Sequence, residues 1–341
     1  MTRQGAGIEA WVDGMRNQGG HGGGPGGEGP GADGERHGIP DEFMRALHEG
    51  QQGMEEGDIA KAEAAFGLAM AICTLHAHEN PSDTMTWQRA KSESMSRHDW
   101  PGAVGWQRRI HDHPETRANL GLMSKSSSDL AEVHLLMGQL DEADARAREG
   151  VRLAQEFDVA PLVMMALTME MMCAMARSDE DRALAAADEA VGLECDAPGA
   201  ETMRAHSWVN RARCRMAFGN VAGAESDLEA SEEVLMAREW PRLMGGIALK
   251  QADWWAVKAR VRKTYGDGHG ATEACRMAIA GYQQSAGTWA KVRLASMLRV
   301  LGELQSEAGE EQDARESMAA ASRIHLEMRV PRCLREECAE P

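Results

Sequence analysis

Five histidines crowd between positions 76 and 113, at His76, His78, His98, His111 and His113, and include two His-x-His pairs. Imidazoles converging from neighbouring helix ends could hold a transition metal. No cysteine or carboxylate motif with metal-ligand spacing accompanies them, and histidines near helix C-termini also suit the helix dipole. No metal ligand is assigned. A Gly-rich run, GGHGGGPGGEGPG at 19–31, neither follows a strand nor leads directly into a helix. It therefore lacks the setting in which a glycine loop cradles phosphate. GxxxxGK[ST], HExxH and GxSxG motifs are absent. The sequence thus points to no catalytic residue and no cofactor, and the chain is expected not to be an enzyme.

Two further groups of residues suit binding. Met164, Met165, Met169, Met171, Met172 and Met175 fall within one short stretch, which makes either an adaptable surface or a pliable core. Basic side chains gather in three later segments: Arg204, Arg211, Arg213 and Arg215; then Lys250, Lys258, Arg260, Arg262 and Lys263; then Lys291, Arg293 and Arg299. They sit in a chain of formal net charge −17, a sign that repels nucleic acid and anionic membranes. No apolar run of membrane-spanning length and no N-terminal signal-like segment is present. Seven cysteines without a CxxC pair read as free thiols of a reducing compartment, and a cytoplasmic location is expected.

The elements that would position these groups read as helices. Ala, Glu, Arg, Met and Leu are common and β-branched residues sparse. Gly occupies fourteen of the first 38 positions, so residues 1–38 are expected to remain a flexible tail; within it Ile8, Trp11, Val12 and Met15 share one helical face. From 39 to 328 a frame recurs. GDIAKAEAAFGLAM (57–70), GQLDEADARAREGV (138–151), GNVAGAESDLEASE (219–232), GDGHGATEACRMAI (266–279) and GEEQDARESMAAAS (309–322) share a turn residue, a polar successor and an Ala five positions on. Weaker copies start at His98 and Ser178. The marked alanines are Ala62, Ala103, Ala143, Ala183, Ala224, Ala271 and Ala314. A second small residue follows seven positions later in every unit except the second, where Ile110 stands; two small residues on one helical face let a neighbouring helix approach closely. Trp87, Trp208, Trp255 and Leu298 precede their turn residues by eleven positions, and Gly50, Ala131, Ala212, Ala259 and Gly302 by seven.

This frame resembles the tetratricopeptide pattern W-x2-L-G-x2-Y…A-x3-F. The period of 40–47 residues is longer than the usual 34, as in kinesin light chains and bacterial sensor and regulator proteins, and longer second helices are expected to absorb the difference. In the fourth unit Glu170 stands where Leu is expected, which suggests a shifted register. The resemblance implies an all-α, right-handed superhelical solenoid of about seven helix pairs, followed by a loose tail at 329–341. It also implies that the first helices line a concave groove. By the frame, Asn210, Arg213, Arg260, Lys263 and Arg299 face that groove, whereas Arg211, Arg215, Lys258 and Arg262 fall between helices. The expected function is a non-catalytic scaffold or adaptor that binds a protein or peptide with acidic residues or a free C-terminus. The alternative is a signal-sensing module acting through a separately encoded output partner.

Overall fold

The computed structural model describes residues 41–58, 60–62, 64–65, 67–69, 72, 83–194, 200–236, 245–285, 287–331 and 334. The tail at 1–38, His76, His78 and residues 335–341 lie outside them. The regular elements described are all helices. The chain divides into two units. The first holds α1 (Asp41–Glu56) and the helical residues around Ala62 and Ala69. The second holds the pairs α2 (Asp83–Ser96) and α3 (Trp100–Asp112), α5 (Leu120–Leu136) and α6 (Leu140–Phe157), α7 (Ala160–Ala176) and α8 (Glu180–Gly192), α9 (Ala200–Ala217) and α10 (Val221–Met236), α11 (Gly245–Thr264) and α12 (Gly268–Gln284), and α13 (Thr288–Glu307) and α14 (Glu311–Met328). A four-residue helix, α4 (Pro114–Arg117), links the first two of these pairs.

Each pair turns on one residue. Gly57, His98, Gly138, Ser178, Gly219, Gly266 and Gly309 all have φ between 57° and 80°. This left-handed conformation suits glycine and costs an L-residue such as His98 or Ser178 about 1 kcal/mol. The next residue caps the second helix. Asp58, Asp99, Asp179, Asn220 and Asp267 each accept the backbone N–H three positions on, at 2.9–3.3 Å. Gln139 and Glu310, with one more methylene, make no such side-chain cap.

The close contacts follow from the small residues. Ala62, Ala103, Ala143, Ala183, Ala224 and Ala271 are completely shielded, and Ala314 is buried. A Cβ placed on Gly150 would lie 2.8 Å from Ser128 Oγ, and one on Gly302 would lie 3.1 Å from the Ala314 carbonyl oxygen. Ile110 is buried at its position despite its size. Met164, Met171, Met172 and Met175 are core residues; Met165 is exposed.

Three expectations need correction. The extra length is not confined to second helices: α11 and α13 each have 20 residues, against 17 and 18 for α12 and α14, and the second helices α3 and α8 have only 13. The fourth unit keeps its register. Glu170 is tolerated because Arg182 Nε on α8 donates to its carboxylate at 3.0 Å, while Arg182 also pairs with Asp144. Nor is the described start of the 329–341 segment loose. Arg329 takes φ 53° and ends α14, after which Val330 and Leu334 are each only 1% exposed. Apolar side chains at these positions are driven inward, and Trp100 Nε1 donates to the Met328 carbonyl at 3.3 Å.

Candidate concave binding site

Six positions before each turn residue, the first helices of the third to seventh pairs carry Glu132, Met172, Arg213, Arg260 and Glu303. Arg213 and Arg260, expected from the frame to be equivalent, line one cavity. Its walls come from α7 (Met172, Met175), α9 (Val209), α11 (Asp253, Val257), α13 (Trp289, Arg293, Met297) and Leu334. The other three expected residues lie along the same helices without lining that cavity. Asn210 is buried; its Oδ1 accepts Arg213 Nη2 at 3.0 Å, and its Nδ2 donates to Thr168 Oγ1 of α7 at 3.5 Å. Arg260 Nη2 donates to Ser296 Oγ on α13 at 2.7 Å. Lys263 and Arg299 converge on one carboxylate, with Lys263 Nζ 2.7 Å and Arg299 Nε 3.9 Å from Glu303. Glu303 therefore offsets positive charge at that end, and the basic character of the cavity centres on Arg213 and Arg260.

Arg293 belongs to a buried polar knot. Asp253 of α11, 3% exposed, pairs with Arg293 of α13, accepts Tyr282 Oη of α12 at 2.8 Å, and lies 3.2 Å from His206 Nε2 of α9. Burial alone would raise the Asp253 pKa, but the Arg293 guanidinium and the His206 hydrogen bond overcome it and hold the carboxyl well below the usual range. Burial lowers His206, so the neutral imidazole, which donates to Asp253, is favoured. Burial, reinforced by Asp253, pushes Tyr282 well above its ordinary value. One carboxylate thus fastens four helices beside the cavity. Such a knot orients groups; no nucleophile and base stand together with an open reaction site in it.

Across the inner face, burial and the neighbouring Asp129 raise the pKa of Glu132, opposed by Lys91 and a hydrogen bond from Trp289. Trp289 opens α13 and Glu132 lies on α5, so side chains span the concavity between distant pairs. The space left in the cavity is about 40 Å³, enough for a few waters. Between helices, Arg211 and Arg215 meet the buried carboxylate of Asp227 at 2.7 and 2.8 Å, and Lys258 stands over the Trp254 ring at 4.2 Å. Arg262 pairs with Asp267 at 2.5 Å. Burial pushes the Cys214 and Cys275 thiols to about 12, which leaves them unreactive at neutral pH. Among the described residues no group of three His, Cys, Asp or Glu side chains is placed to hold a metal, and no helix is long and apolar enough to cross a membrane.

Glu132 and Glu303 were within reach of the sequence frame, which marks them as equivalents of Arg213. Asp253, Tyr282 and His206 were not, because their pairing spans 29 and 47 residues and depends on which faces meet. Leu334 lies beyond the last repeat, where the frame has no position for it.

The left-handed turn residues, the shielded alanines behind them and the row of inner first helices define a tetratricopeptide-type helical-repeat solenoid. Solved structures share this fold. Apo RapI matches with a TM-score of 0.53 and 9% identity, over 84% of this chain and 99% of that one. A Rap protein complexed with Competence and Sporulation Factor matches at 0.53 and 10%, over 85% and 99%. Aspartyl phosphate phosphatase F from Bacillus subtilis matches at 0.52 and 10%, over 83% and 70%. No family model matches the chain, and no curated protein is similar to it in sequence.

Proposed function

We propose that the inner face of α7, α9, α11 and α13 holds a segment of another protein or a peptide, and that the chain acts as a scaffold or adaptor without catalysing a reaction. One observation carries this reading: Arg213 and Arg260 stand at equivalent positions on adjacent helices and line a single cavity with Met172, Val257, Trp289 and Met297. Guanidinium groups beside apolar walls suit a segment that combines apolar anchors with carboxylates, since arginine presents a planar fork to a carboxylate. A face built on stacked helices is preformed, which lowers the ordering cost of binding. Asn210, which holds Arg213, and Lys263 and Arg299, which share Glu303, extend the contact surface along the inner helices.

A second reading, a signal-sensing regulator that acts through a separate output partner, is favoured by the likeness to a Rap protein solved with Competence and Sporulation Factor. The two readings share the inner face and differ in what is bound.

The test is affinity capture with the intact chain, followed by binding measurements on the isolated partner with wild type and with the Arg213→Glu/Arg260→Glu variant. The double variant is expected to keep its helical circular dichroism and to bind at least about tenfold more weakly at low salt, the gap narrowing as salt screens the charges. A folded double variant that binds the partner as wild type does removes the inner face as the site.

A further inference from the structure

The chain's own C-terminal residues supply one wall of the cavity described above. After α14 ends at Met328, Arg329 turns the chain through a left-handed residue. Met328, Val330 and Leu334 are each 1% exposed. They belong to one apolar cluster with Trp100, Met172, Met175 and Val292. Trp100 fixes the start of the segment through the Met328 carbonyl. Gly138 leaves it room, since a Cβ there would stand 3.0 Å from Pro331 Cβ. Leu334 is itself part of the wall beside Arg213, Arg260 and Arg293.

We propose that residues 328–334 are an internal ligand of the concave site, which an external segment must displace in order to bind. This rests on the binding role assigned to the inner face. Three properties separate an internal ligand from a plain C-terminal cap. The segment lies beyond the last repeat, so no helix pair needs it to complete its own turn. It buries two apolar side chains four residues apart, Val330 and Leu334, and Leu334 lines a cavity that arginines also line. The sequence beyond it carries Glu336, Glu337 and Glu340, carboxylates of the kind that arginine binds. The internal segment therefore describes its competitor: a short peptide stretch with two apolar residues four positions apart, followed by carboxylates.

The experiment uses the full chain. A fluorescein-labelled peptide of residues 328–340, carrying Cys333→Ser and Cys338→Ser, is titrated into wild type and into the Leu334→Asp variant. A tethered segment competes at about millimolar local concentration, so wild type should bind the peptide weakly. The variant, with its own anchor weakened, should bind at least about tenfold more tightly. A peptide that itself carries Leu334→Asp should not bind the variant. A variant with wild-type circular dichroism that binds the peptide no better than wild type overturns the proposal, as does equal binding of the altered peptide. Should Leu334→Asp lose helical signal, Leu334→Ala is read by the same criteria. The external partner separates this inference from the function it rests on. Peptide binding in trans without any effect of the Arg213→Glu/Arg260→Glu pair on the partner would leave the internal ligand standing and remove the proposed partner site. Partner binding that depends on those arginines but not on Leu334 would do the reverse.

Discussion

Five residues after each turn the helix pairs carry alanine without exception, whereas six residues before it the third to seventh pairs carry glutamate, methionine, arginine, arginine and glutamate. The first position meets a neighbouring helix at a distance that admits only a methyl group, so sterics fix the same answer in every unit. The second faces the concavity, where the repeat imposes no size. Repetition within one chain thus separates positions that build the helix pairs from positions whose residue type varies, and the proposed binding role rests on the latter. Both layers also hold a buried carboxylate: Asp227 on α10 meets Arg211 and Arg215, and Asp253 lies on α11. Asp253 differs in reach, because it ties His206, Tyr282 and Arg293 from three other helices together, whereas Asp227 meets two arginines of a single helix.

This contrast can be broken from the polar side first. Asp253→Ala leaves Arg293 and Tyr282 without their buried partner and is expected to cost about 3–5 kcal/mol, the usual penalty for removing one member of a buried ion pair. Urea unfolding measures it, and a loss below about 1 kcal/mol would mean that the knot is dispensable. Ala271→Leu attacks the uniform layer. The site is completely shielded, and overpacking is expected to cost about 1–3 kcal/mol; a neutral result would argue against steric selection of alanine.

The smallest effect is a pH dependence. Burial lowers the pKa of His206 in the fold. Below its unfolded value of about 6.5 the unfolded chain takes up a proton that the folded chain resists, so His206 makes stability fall as pH falls through that region. Asp253, also lowered, contributes in the same direction only nearer pH 4 and below. Glu132, raised by burial and Asp129, works the other way, and its contribution is lost as pH rises above about 4.5. Comparing wild type with His206→Gln isolates the histidine. Between pH 7.5 and 5.5 wild type should lose more stability than the variant, and equal losses would show that His206 does not resist protonation in the fold.

The same physical distinction explains what the sequence made legible. Turn glycines, capping aspartates and shielded alanines report local geometry repeated at a near-constant period, so Gly57 to Gly309 and Ala62 to Ala314 can be read in one dimension. The positions of Arg213 and Arg260 follow from that frame. The Asp253 knot does not, because it is made once, between α9, α11, α12 and α13: Asp253 and His206 hold the same place in the frame, thirteen positions before Gly266 and Gly219, but differ in type, and nothing in the frame says that they meet. The packing of Val330 and Leu334 was hidden for another reason. Outside a repeat, two apolar residues among charges read as a tail until the apolar cluster that buries them is known. Glu170 shows the converse: an apparent break in the pattern signalled a register shift, yet a single arginine on the adjoining helix satisfies it.

The most direct test of the division between inner face and scaffold is amide hydrogen exchange, resolved by helix, on the full chain with and without its captured partner. Slower exchange on binding in α9, α11 and α13, with α10, α12 and α14 unchanged, is the result this account predicts. Slowing confined to α10, α12 and α14 would contradict it.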